Sequence, residues 1–66
     1  MLNRLQATSI KLKRIQKGWS VIQLAKKTGV SREAIYNYEK GVNFPSPEML
    51  KKLAKVFDCD IKELID

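Results

Sequence analysis

Residues 20–41, SVIQLAKKTGVSREAIYNYEKG, decide how this chain folds. They read as two short helices joined by a tight turn. Ser20 opens the first helix, and Gln23 at its third position forms a capping box, each side chain satisfying the other residue's backbone donor. Gly29 supplies a turn residue tolerant of positive φ, Ser31 opens the second helix, and Gly41 closes it. Helices that cross steeply need a small residue at their contact, and Ala25 stands four positions before the glycine. Leu24, Val30, Ile35 and Tyr38 fall where such a pair needs internal packing, which would anchor it on the fourth helix. On the second helix, Arg32, Glu33, Tyr36, Asn37 and Lys40 occupy the face opposite Ile35 and Tyr38, polar and without internal partners.

On the N-terminal side, the pattern predicts a first helix from about Ser9 to Lys17, with Thr8 or Ser9 as its cap and Gly18 as its stop. Its apolar residues Ile10, Leu12 and Ile15 do not make one stripe, and Leu5, Leu12, Ile15 and Trp19 form a second patch without an assigned partner. On the C-terminal side, residues 41–45 read as a loop. Ser46-Pro47-Glu48 is a strong helix start: a cap, a proline where no hydrogen bond is lost, and an acid at the positive helix end. The helix that follows carries Met49, Leu50, Leu53, Ala54, Val56 and Phe57 at helical spacing and is the expected main core helix. Asp60 with Glu63 suggests a capping box for a last short helix, Ile61 to Ile65. Five short helices and no strand define an all-α fold, with residues 1–66 as a single domain and 20–41 as its central unit.

Sixty-six residues bury only a small core, so a partner subunit would help stability. A hydrophobic content of 44% with 30% charged residues suits a folded domain. No apolar run is long enough to span a membrane, and the N-terminus lacks a signal-peptide core. His is absent and Cys59 is the single cysteine, which excludes an internal disulfide and a zinc site of the usual Cys/His type. The expectation is a reducing, cytoplasmic setting without metal or cofactor. Charge is one-sided within the net +6: residues 1–32 hold eight Lys and Arg and no acid, whereas 33–66 run about −2. Such a field draws a polyanion and speeds its encounter; the alternative is a solvated, Lys-rich helix surface.

Taken with Arg14, Gly18, Leu24-Ala25, Gly29-Val30-Ser31, Ile35, Glu39-x-Gly41, Pro45-Ser46, Leu50, Leu53-Ala54 and Ile61-x-Glu63-Leu64, the chain resembles the phage-repressor/Cro-type helix-turn-helix family of bacterial and phage transcription regulators. The resemblance covers residues 8–65. It implies a lambda-repressor-like domain whose second and third helices form the helix-turn-helix, with helix 3 entering the major groove of double-stranded DNA.

What the resemblance implies for individual residues can be stated by chemistry. Arg32 and Glu33 would stand at the helix N-terminus where base edges are read. Arg32 suits a bidentate clamp on guanine O6/N7 or a phosphate contact, and Asn37 suits adenine N6/N7. Glu33 either accepts from cytosine N4 or merely favours the helix N-terminus, and Tyr36 meets a thymine methyl or a phosphate. Phosphates would be held by Ser20 and the start of helix 2, by Ser31, and by Lys40, Asn43 and nearby amides after helix 3. Many family members carry Gln after the helix 2 cap to brace the recognition helix. Here Val21 stands there, and either meets sugar or a thymine methyl or packs beside Trp19. Arg14 and Glu39 match the buried ion pair that several members place between helix 1 and helix 3; the alternative is two exposed charges.

The function so implied is a sequence-specific transcriptional regulator, Cro-like, acting as a dimeric repressor on a pseudo-palindromic operator. The dimer is expected through the C-terminal region around Phe57 to Ile65. Sixty-six residues leave no room for a ligand-sensing second domain, so no small-molecule ligand is expected. The other class to weigh is a protein-interaction module, such as an antitoxin or adaptor on the same fold. An enzyme is disfavoured: without His, and with Ser20, Ser31 and Ser46 all explained as caps, no triad or carboxylate pair assembles.

Overall fold

In the computed structural model, which describes the backbone of residues 3–65 and the side chains of residues 9–65, the described residues form five helices and no strand. They are α1 (Asn3–Lys17), α2 (Val21–Thr28), α3 (Arg32–Lys40), α4 (Pro47–Phe57) and α5 (Lys62–Ile65). Local chemistry explains most boundaries. Ser20 and Gln23 make both halves of the capping box, Ser20 N–H donating to Gln23 Oε1 at 2.7 Å and Gln23 N–H to Ser20 Oγ at 3.1 Å. Ser31 and Ser46 accept from Ala34 N–H and Met49 N–H, each at 3.1 Å. Gly29 ends α2 at φ 75°, its N–H donating to Ala25 O.

Expectations at both ends of the chain need correction. α1 begins at Asn3, so Thr8 and Ser9 lie inside it rather than capping it. Residues 3–9 hold no Gly or Pro, and mid-helix Thr and Ser do not stop a helix that its neighbours favour. Of the second apolar patch, the Leu5 side chain lies outside the described residues, Leu12 and Ile15 are exposed, and Trp19 packs against the core. At α5 only half of the expected box forms. Glu63 accepts from Asp60 N–H at 3.3 Å, while Glu63 N–H donates to the Asp60 carbonyl, and the helix starts at Lys62. Asp58, not a glycine, ends α4 in the left-handed region at φ 57°, a conformation Asp tolerates better than most residues.

The core is Ile10 of α1, Val21, Leu24 and Ala25 of α2, Ile35 of α3, Leu50, Leu53, Ala54 and Phe57 of α4, and Leu64 of α5. α4 contributes more of it than any other helix. The helix-turn-helix pair is not anchored on α4 as a unit, however. α3 packs chiefly on α1 and α2, and it is α2 that meets α4. α1 therefore acts as the backing helix for α3. Among the described residues, no helix is long and apolar enough to cross a membrane.

Candidate nucleic-acid interface

α3 presents a polar row to solvent because Ile35 faces inward with no exposed surface. Arg32, Glu33, Tyr36 and Lys40 are exposed, and Asn37 is half-buried. Arg32, Tyr36 and Lys40 follow one another at four-residue spacing, so they line one ridge. Lys40 Nζ lies 5.9 Å from the centre of the Tyr36 ring. Arg32 Nε approaches Glu33 Oε2 at 3.6 Å, with both side chains well exposed, so the pair costs little to separate.

Flanking groups differ in what they can offer an anion. At the start of α2, the Val21 and Ile22 N–H groups lie in the first turn and have no helical acceptor, and Ser20 caps beside them. The Val21 side chain is 9% exposed and belongs to the core, so it does not reach sugar or a thymine methyl, and Val21 can contribute only its amide. Ser31 repeats the arrangement at the start of α3. After α3 the amides are already engaged: Gly41 N–H donates to Tyr38 O, and Val42 and Asn43 N–H both donate to Asn37 O, at 2.9 and 3.3 Å. The side chains of Lys40 and Asn43 there are both exposed.

The face is braced from behind by Arg14. Its Nε donates to Glu39 Oε2 at 2.7 Å, its Nη2 to Glu39 Oε1 at 3.1 Å and its Nη1 to the Trp19 carbonyl at 2.9 Å. One guanidinium thus ties α1 to α3 and to the residue preceding the α2 cap. The hydrogen bond to Glu39 raises the Arg14 pKa above its ordinary value against the opposing effect of burial. Trp19 is itself held, stacked on Phe57 at 5.9 Å between ring centres with Lys27 Nζ 4.6 Å from its own ring. Lys27 is therefore turned onto Trp19. Sequence reading did not find this Trp19 cluster, because no local pattern joins residues 19, 27 and 57.

At the far side Lys13 and Glu63 join α1 to α5, and the hydrogen bond from Lys13 lowers the Glu63 pKa. Burial pushes the Cys59 thiol up, away from the thiolate form a reactive cysteine needs. The C-terminal stretch offers little apolar surface for a dimer seam. Phe57 and Leu64 are buried in the core of one chain, which leaves Ile65 as the exposed large apolar residue of that stretch. Seam residues and core residues look alike in sequence, since both follow helical spacing.

Two packed helices joined by a tight turn, with an exposed polar face on the second, define a helix-turn-helix domain. A family model described as helix-turn-helix matches residues 10–64, and the chain belongs to that family. It is 48% identical over 52 residues to a protein of Saccharolobus islandicus strain L.S.2.15 that its name alone assigns to the HTH-type transcriptional regulatory proteins, covering 79% of this chain and 17% of that one. A protein of Aeropyrum pernix with the same kind of name is 39% identical over 62 residues, 94% of this chain and 19% of the other. The chain thus spans less than a fifth of the length of these archaeal relatives. Among solved structures, a hypothetical transcription factor from Neisseria superposes with a TM-score of 0.93 at 24% identity, over 100% of this chain and 76% of that one. The clp gene regulator ClgR from C. glutamicum gives 0.88 at 20% identity, over 97% and 83%. These two likenesses show the fold. The matched family is a helix-turn-helix family, and the names of these relatives are those of transcriptional regulatory proteins.

Proposed function

We propose that this chain is the DNA-reading domain of a sequence-specific transcriptional regulator, with α3 lying in the major groove. The observation that carries the reading is the exposed Arg32-Tyr36-Lys40 ridge, with Glu33 beside it, on a helix braced from behind by Arg14. In this reading Arg32, Glu33, Tyr36 and Asn37 read base edges. Ser20, Ser31, Lys40, Asn43 and the Val21 amide hold phosphates. The acid-free first half of the chain supports it by supplying long-range attraction.

One domain covers a short footprint, so two copies on a pseudo-palindrome, with half-sites about 10 base pairs apart, is the natural arrangement, and repression by occlusion its simplest outcome. The test is selection from random duplexes at about 150 mM salt, which suppresses purely electrostatic binding. A palindromic motif is the expected result. Recovery of no motif would sink the DNA-reading role and favour the second reading, a protein-interaction module, for which the exposed Leu12 and Ile15 on α1 are the supporting observation.

A further inference from the structure

Single exposed apolar residues are ordinary on protein surfaces. On α1 two stand together: Leu12 and Ile15 are 52% and 54% exposed and lie one helical turn apart. In the sequence they end the series Leu5, Thr8, Leu12, Ile15, whose spacings of three, four and three residues are those of a coiled-coil seam. The core does not account for that seam. α1 buries Ile10 and turns Arg14 onto α3, and by helical register both lie on the side away from Leu12 and Ile15. The two flanks of the seam differ. On one, Ser9 and Gln16 form with Lys62 of α5 a groove that Leu12 also lines, and Glu63, the acid of that groove, is held by Lys13. On the other, Lys11 is exposed and has no ion-pair partner among the described residues. Arg4 precedes it by seven residues, and α1 contains no acid. An apolar stripe is thus edged by cations on both sides.

We infer that the outer face of α1 docks an amphipathic helix of a partner protein, one with acidic residues beside its apolar stripe. Apolar anchors at coiled-coil spacing interlock with Leu12 and Ile15, and the flanking carboxylates meet Lys11 and Lys62. Charge argues against a second copy of this chain as the occupant. Two copies paired in parallel would set Lys11 against the uncharged Gln16, and antiparallel pairing would set the basic flank against itself. The surface is independent of DNA reading by α3, because it lies on the side of α1 away from the Arg14 contact with Glu39.

The experiment is an NMR titration of the nitrogen-labelled domain with a synthetic helical peptide of about three heptads, carrying Leu at the seam positions and Glu on both flanks. A control peptide keeps the Leu stripe and carries Lys on the flanks. The Glu peptide should shift the amides of residues 9–16 and bind at least about tenfold more tightly than the Lys peptide. Leu12→Ser/Ile15→Ser should bind the Glu peptide about tenfold more weakly with no loss of melting temperature, since both side chains are already half exposed. Lys11→Glu leaves the apolar stripe intact and should cut the preference for the Glu peptide about threefold, which keeps the inference testable if the Ser variant unfolds. Shifts confined to other faces, equal binding of the two peptides, or unchanged affinity in the folded Ser variant would overturn it. So would self-association of the domain that Leu12→Ser/Ile15→Ser abolishes, because the occupant would then be a second copy. The titration is read on the domain alone, so its outcome does not depend on whether α3 reads DNA.

Discussion

Arg14 and Glu39, twenty-five residues apart, meet through two hydrogen bonds with only 14% and 7% of their side chains exposed. A pair so far removed from water differs from a surface ion pair. Its desolvation cost is borne by both charges, and loss of either leaves the other stranded. Glu39→Ala is accordingly expected to destabilise the domain by about 3–5 kcal/mol, enough to threaten a core this small. The double variant Arg14→Met/Glu39→Met should recover most of that loss. Urea denaturation of the three proteins decides the matter. A cost below about 1 kcal/mol for Glu39→Ala would make the pair no more than a surface bridge.

Gly29 takes a left-handed conformation at φ 75°, and a Cβ built on it would meet only Lys52 Nζ at 3.8 Å, an ordinary contact. The cost of a side chain there is backbone strain rather than collision. Gly29→Ala should therefore lose about 1–2 kcal/mol, and Gly29→Asn less, in chemical denaturation. A much larger loss would mean that the turn depends on close packing which the free space around Gly29 argues against.

The two cationic ends of the α3 ridge should behave differently on DNA. Arg32→Ala is expected to lose about 1–3 kcal/mol on the preferred site and to relax preference at one base pair. Lys40→Ala should weaken all sequences alike and reduce the salt slope by about one. Equal weakening of every sequence by Arg32→Ala would reassign Arg32 to phosphate.

Acid should loosen the junction of α1 and α5. The hydrogen bond from Lys13, aided by the Asp60 N–H, lowers the Glu63 pKa from its ordinary 4.5. A carboxylate held down in the folded state adds stability that is present above its unfolded pKa and is lost as pH falls through the folded value. Glu63→Gln should therefore lower the melting temperature at pH 7 more than at pH 3. Equal shifts at the two pH values would show that the exposed pair contributes nothing to stability.

Short-range chemistry was legible in the sequence. Ser20 with Gln23, Ser31, Gly29 and the Ser46-Pro47 start all act within four residues, and each boundary of α2, α3 and α4 that they set falls where the pattern put it. The polar face of α3 was legible for the same reason: burial of Ile35 turns Arg32, Tyr36 and Lys40 outward by helical periodicity alone. The start of α1 was not, because Thr8 and Ser9 carry cap chemistry that a continuing helix overrides.

By itself, the sequence determined the five-helix pattern, the caps, the charge asymmetry and the polar row of side chains on α3, because periodicity and capping are properties of neighbouring residues. Only the tertiary structure decided what those elements do to one another. It took Val21 into the core and backed α3 with α1. It brought Phe57 and Lys27 onto Trp19, closed the Val42 and Asn43 amides onto Asn37, and left Val42 and Phe44 outside. Apolar residues at helical spacing carry no label for core or surface. Which of them is buried depends on how helices distant in sequence pack, and that is settled only when the whole core closes.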